Sequence, residues 1–103
     1  MIKNVVVSNS YTEIIKASDT TVANLGIYFC NSTGTNADVI DLFVMSEGEG
    51  PTNETKVISK LYIPPGETFM FGHEKFILDP GESIGALAQV GGRISATVTF
   101  TGV

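Results

Sequence analysis

The sequence has no tryptophan, one histidine, one cysteine, and six lysines and arginines against eleven aspartates and glutamates. Each shortage removes a class of function. A single cysteine, Cys30, allows no intrachain disulfide, and the chain reads as one made in a reducing cytoplasm. A net charge of −5 and a pI near 4.6 leave no cationic surplus to neutralise phosphates, so no nucleic-acid partner is expected. The acidity reads instead as an aid to solubility. No stretch approaches the ~20 apolar residues that cross a bilayer as a helix. The opening MIKNVVVSNSY carries one lysine and a three-valine run, too short for the apolar core of a signal peptide. No membrane partner is expected either.

What is present points to strands. Of the 103 residues, 43% are hydrophobic and 17% charged, too apolar for a disordered chain. The length suits one domain, residues 1–103, able to bury roughly two thirds of its unfolded surface. Val, Ile and Thr are abundant and Gly is plentiful, a balance that favours strands joined by turns. The tripeptide Pro-Gly-Glu occurs at Pro65-Gly66-Glu67 and again at Pro80-Gly81-Glu82, each time between apolar runs. Pro fixes φ at the second position of a type II turn, and Gly supplies the positive φ at the third. Both tripeptides therefore read as tight reversals between strands.

Period-2 alternation predicts strands at 2–7, 11–16, 21–30, 37–45, 56–63, 67–72, 75–79, 82–90 and 93–100. The clearest is the last, where Ile94, Ala96, Val98 and Phe100 form a core face against Ser95, Thr97 and Thr99. Before it, Ile84, Ala86, Ala88 and Val90 share a core face, and Gly91-Gly92 reads as a two-residue hairpin turn. In the third strand Ala23, Leu25, Ile27 and Phe29 lie opposite Val22, Asn24, Gly26 and Tyr28. In the fourth, Ile40, Leu42 and Val44 lie opposite Val39, Asp41 and Phe43. The first twenty residues read as an N-terminal arm or an edge hairpin closed through Ser8-Asn9-Ser10. Eight or nine short strands at this spacing imply two packed sheets or a small closed barrel. The favoured reading is an all-β, antiparallel, jelly-roll-like β-sandwich.

Chemistry is sparse. His73, in FGHEKF, has no evident nucleophile or orienting partner and reads as a surface turn residue. Cys30 ends an apolar strand without an adjacent cation, so it reads as a buried small hydrophobe. No serine stands in a G-x-S-x-G pattern. Asp38 and Asp41 are an odd number of positions apart, so a strand sends them to opposite faces and they share no ion. Glu47 and Glu49 read as a solvated acidic loop in preference to a Ca²⁺ site. Asn31-Ser32-Thr33 and Asn53-Glu54-Thr55 match the glycosylation pattern but read as turn residues. No catalytic, cofactor-binding or metal-ligating residue is assigned, and no cofactor is expected.

The block from Val22 to Val103 resembles a family of small β-sandwich structural proteins of tailed bacteriophage virions. The resemblance rests on the order of IYFCNSTGTNADVIDLFVM, the polar SEGEGPTNET, KLYIPPGETFMF, EKFILDPGESIGALA and the closing RISATVTFTGV. Lys16-Ala17-Ser18-Asp19-Thr20 stands where members often carry a Pro-Gly-type turn. The resemblance implies a non-enzymatic building block of the virion, assembled in the host cytoplasm, whose surfaces bind other virion proteins. A capsid decoration or cement subunit is the first expectation. A neck, tail or baseplate subunit is the alternative, as is a carbohydrate or host-surface binding module.

One surface is singled out. IKNVVV carries little charge and TEIIKA is apolar at its centre, so an exposed edge there would invite pairing. Ile2, Val5, Val6, Val7, Ile14 and Ile15 are accordingly the candidate interface with a neighbouring subunit in a symmetric homo-oligomer.

Overall fold

The computed structural model of the chain describes residues 1–71 and 77–102. Among these residues nine strands form: β1 (Ile2–Val7), β2 (Thr12–Lys16), β3 (Val22–Asn31), β4 (Asp38–Met45), β5 (Lys56–Ile63), β6 (Thr68–Phe71), β7 (Ile77–Leu78), β8 (Ser83–Ala88) and β9 (Ile94–Gly102). All pairings are antiparallel. One sheet has the order β1-β9-β3-β6, with β7 also on β3, and the other has the order β2-β8-β4-β5. The chain is therefore an all-β sandwich of two packed sheets, as its alternation predicts.

The strand order has a simple origin. Four antiparallel pairs, β1·β9, β2·β8, β3 with β6 and β7, and β4·β5, form one long ribbon folded at the polar loop after Met45. Wrapping that ribbon puts alternate pairs in opposite sheets and creates the new contacts β3·β9 and β4·β8. This is the jelly-roll arrangement.

The corners show how the wrap is held. Where the ribbon passes between sheets its two chains stay bonded to each other. Gly81 N–H donates to Ala17 O at 2.7 Å, and Ala17 N–H donates to Glu82 O at 2.9 Å. The other Pro-Gly-Glu turn repeats the clasp: Gly66 N–H donates to Asn31 O and Asn31 N–H donates to Glu67 O, both at 2.9 Å. Each turn also closes on itself, Glu82 N–H on Asp79 O at 2.9 Å and Glu67 N–H on Pro64 O at 3.3 Å. Gly81 and Gly66 have φ of 95° and 75°, the positive values the type II turn requires. Both turns lead from one sheet to the other, so they are corners and not hairpins.

Two further readings change for the same reason. β1 and β2 do not pair as a hairpin or form a loose arm; each is the edge strand of a different sheet, bonded to β9 and β8 respectively. Gly91-Gly92 likewise joins β8 to β9 across the sandwich, with φ of 94° and 78°. Asp38, nearly fully buried, holds this corner by accepting N–H bonds from Val39 at 2.8 Å, Gly91 at 3.0 Å and Val90 at 3.1 Å. Val90 consequently turns out to solvent, correcting its place on the core face.

The core lies between the sheets and includes Val7, Ile14, Ile27, Phe29, Ile40, Leu42, Ile84, Ile94 and Val98. Ala96 is buried with them, whereas Phe100 is only partly covered near the end of β9. In β3 the pairing with β9 slips between Asn24 and Gly26, leaving Leu25 as an extra residue. The bulge reverses the alternation, so Val22 and Asn24 are buried ahead of it and Ile27 and Phe29 after it. Asn24 Oδ1 accepts the Gly26 N–H at 3.2 Å and so holds the bulge.

A Cβ on Gly81 would sit 2.6 Å from Glu47 Oε2 and 2.8 Å from Glu47 Cβ, whereas one on Gly66 would meet open space. Both substitutions force a left-handed backbone, but only one adds a clash. Chemical denaturation should show Gly66→Ala losing about 1 kcal/mol and Gly81→Ala about 2 kcal/mol or more. Losses below about 0.5 kcal/mol at both sites would refute the turn assignment.

Candidate interaction face

Side chains alternate across a strand, so burying Val7, Ile27, Phe29, Ala96 and Val98 sends their neighbours outward. The outer face of the first sheet thus carries Ile2, Asn4 and Val6 from β1, and Ser95, Thr97 and Thr99 from β9. Tyr28 and Cys30 of β3 and Thr68 and Met70 of β6 complete it. Register lines up Asn4, Thr97, Tyr28 and Met70 in one row across four strands. Ile2 is 68% exposed, Val6 57%, Met70 53% and Tyr28 42%. None of these residues is charged. Thr97 Oγ1 donates to Asn4 Oδ1 at 2.6 Å, tying the edge strand to its neighbour without any ion.

The outer face of the second sheet differs. It carries Glu13, Lys16, Asp41 and Lys56, and Lys60 lies on its edge strand. Lys56 Nζ is 3.4 Å from Asp41 Oδ2, and Lys60 N–H donates to Asp41 Oδ1 at 2.7 Å. The second bond explains why Lys60 stands at φ 56°: the pairing with β4 slips here, and the carboxylate captures the displaced amide. A shallow groove of about 340 Å³ is lined by Val39, Asp41, Lys60, Leu87, Ala88 and Gln89. Its one carboxylate has both oxygens engaged, so it is poorly placed to act as a base. A second groove, bounded by Tyr62, Glu67 and Phe69, holds about 110 Å³, well short of the roughly 300 Å³ at which small-molecule pockets begin.

The same outer face also holds an aromatic cluster. Tyr11 lies over Gly85, where a Cβ would collide with its ring. Its ring meets Phe43 edge-to-face with centroids 6.0 Å apart, and Lys56 Nζ sits 5.7 Å from the Phe43 centroid. Phe43 is thus buried on the outside of the sheet, opposite Ile40 and Leu42 as its parity predicts. The Tyr11 hydroxyl is buried with no hydrogen-bond partner among the described residues. Burial pushes its pKa above the ordinary 10.0; the nearby Ser83 side chain offsets this in part without reaching hydrogen-bond geometry, and the Glu13 charge adds to it.

The sequence-predicted site residues separate. Val7, Ile14 and Ile15 belong to the domain's own core and Val5 packs partly against it, so they are not free for a neighbour. Ile2 and Val6 remain on the surface. Cys30 is half-exposed rather than buried, because Phe29 beside it takes the core position. Asp38 and Asp41 do face apart: one is locked in a corner and the other pairs with Lys56. Asn31 is fully buried, its amide donating to Asn36 O at 2.8 Å and Ile63 O at 3.1 Å. That leaves no access for a glycan. His73 lies outside the described residues. Among the described residues no three of His, Cys, Asp and Glu gather as a metal site. Tyr28 and Met70 escaped sequence reasoning as part of a surface, because only the pairing of β3 with β6 places them side by side.

The fold and this face define the class, an antiparallel jelly-roll sandwich with one outer sheet face that is uncharged among the described residues. The chain matches no protein-family model, and comparisons with curated proteins and with solved structures return no match.

Tyr11→Phe removes a buried hydroxyl that makes no hydrogen bond, so it should raise stability by about 1 kcal/mol at neutral pH. The raised pKa gives the sign of the pH effect. The native state holds the phenol proton more tightly than the unfolded chain does. The stability linked to this group is therefore complete below pH 10 and lost as pH rises from there through the folded value. Tyr11→Phe should flatten that alkaline decline in urea titrations. A substantially less stable variant at pH 7 would reveal a hydrogen bond at Tyr11.

Proposed function

We propose that this chain is a non-enzymatic structural subunit of a tailed-phage virion, a capsid decoration or cement protein that seats on other virion proteins through the outer face of its first sheet. One observation carries the docking part: a sheet face, uncharged among the described residues, that exposes Tyr28 beside Met70 and, across the Ser/Thr row of β9, Ile2 and Val6. Interface cores are depleted of charge and enriched in aromatics and Met, as this face is. The resemblance of Val22 to Val103 to small virion sandwich proteins supports the choice of partner. A neck or tail position would use the same face, and mapping the chain's density in an intact particle distinguishes these sites.

Tyr28→Lys and Met70→Lys each place a charge on the face while leaving the core untouched. Gln89→Lys does the same on the opposite, already charged side, where Gln89 is exposed. Binding to particles that lack the subunit should weaken about tenfold or more for the first two, a loss of at least ~1.4 kcal/mol, and stay unchanged for the third. Melting temperatures should match the parent. Wild-type occupancy by the Tyr28→Lys and Met70→Lys proteins would eliminate this face as the attachment surface.

A further inference from the structure

The four sheet edges are not equivalent. On the first sheet one side ends in β6 and β7, which are two separate strands of four and two residues among the described residues. On the second, β5 breaks register with β4 twice and β2 breaks register with β8 at Ile14. Short, bulged and charged edges resist pairing with another chain. β1 has none of these defences: it runs in unbroken register with β9 from Ile2 to Val7, with Lys3 as its one charge and no proline.

Hydrogen-bond parity shows which groups are open. Met1 and Phe100 exchange bonds, the Met1 amine donating to Phe100 O at 2.7 Å and Phe100 N–H donating to Met1 O at 2.9 Å. Antiparallel pairs alternate, so Lys3, Val5 and Val7 also direct N–H and C=O toward β9. Ile2, Asn4 and Val6 direct theirs outward from the edge. These are also the β1 residues whose side chains stand on the uncharged outer face.

We propose that β1 is a self-pairing edge: two copies of this chain join antiparallel along β1 about a two-fold axis through Asn4, making one continuous sheet. Three features of the strand select a second copy as occupant. A two-fold axis normal to the sheet must pass through a residue facing itself, and only centring on Asn4 engages every open group. Asn4 then meets Asn4, and Ile2 meets Val6 on both sides of the axis, each pair exchanging two main-chain bonds. Ile2 and Val6, 68% and 57% exposed in the single chain, cover each other across the seam. No like charges face one another, because Lys3 falls opposite Val5.

The second sheet agrees. β2 packs beneath β1 as the edge strand of the second sheet, so its exposed Glu13 and Lys16 lie on the same side of the sandwich as the seam. That edge strand carries one charge of each sign and so no net charge to repel a second copy. The inference does not depend on the virion reading, since it uses the edge geometry alone.

The test is sedimentation equilibrium of the full chain, read with amide exchange. The wild type should sediment as a dimer of the 10.9 kDa chain. Amides of Ile2, Asn4 and Val6 should gain protection as concentration rises. I2K/V6K places like charges opposite each other across the axis and should raise the dissociation constant about tenfold or more. I2K/V6E places opposite charges there and should remain dimeric. Asn4→Pro deletes an outward N–H and, of the bonds to β9, only the side-chain bond from Thr97, leaving the main-chain ladder intact, so it should give a folded monomer. A wild-type monomer at every concentration would overturn the proposal. So would an I2K/V6K or Asn4→Pro dimer of unchanged affinity, or an I2K/V6E protein that fails to associate.

Discussion

The fold depends on keeping main-chain groups bonded while the chain changes sheets. A buried N–H or C=O without a partner costs on the order of 1–3 kcal/mol, and a jelly roll turns from one layer to the other repeatedly. Here the two chains of the ribbon remain partners through the bends. Ala17 pairs with Gly81 and Glu82, Asn31 pairs with Gly66 and Glu67, and Val7 and Ser8 accept from Gly92 and Ala88. Positive φ at the glycines lets the second chain follow the first around each bend. Asp38 and Asn31 complete the arrangement with side-chain bonds to backbone groups that would otherwise be orphaned.

Irregularities in the strands then decide what each face presents. The bulge at Leu25 lets a ten-residue strand bury both Val22 and Phe29 although they are an odd number of positions apart. The slips in β5 lift Lys60 into a left-handed conformation and aim its amide at Asp41. The result is an asymmetric sandwich. The second sheet is charged outside and occupied by its own Tyr11–Phe43 packing, whereas the first presents Thr, Ser and exposed apolar side chains with no ion among the described residues.

This asymmetry underlies the functional reading. Asp38 is employed in holding backbone and Asp41 in binding the Lys60 amide and pairing with Lys56, which makes these two carboxylates structural. The neutral face is tied internally only through hydroxyls, Thr97 to Asn4 and Thr99 to Gly26 O, among the described residues. Its row of Asn4, Thr97, Tyr28 and Met70 spans strands far apart in sequence and ends at the open edge of β1.

The sequence by itself determined the strands and the turns, because both are set by near neighbours. Residues 2–7 and 56–63 match β1 and β5 in full. Pro-Gly-Glu specified positive φ at Gly66 and Gly81, and alternation placed Ile94, Ala96 and Val98 inside. Only the tertiary structure decided which strands meet. Gly91-Gly92 has the same local conformational freedom whether it closes a hairpin or crosses between sheets, so the partners of β8 and β9 were not legible in it. The same holds for Ile14 and Ile15, whose apolar side chains are compatible with a core or an interface until β8 fixes the register of β2. Pairing is a property of residues far apart in the chain. The neutral outer face, assembled from β1, β3, β6 and β9, could emerge only once those distant segments were brought together.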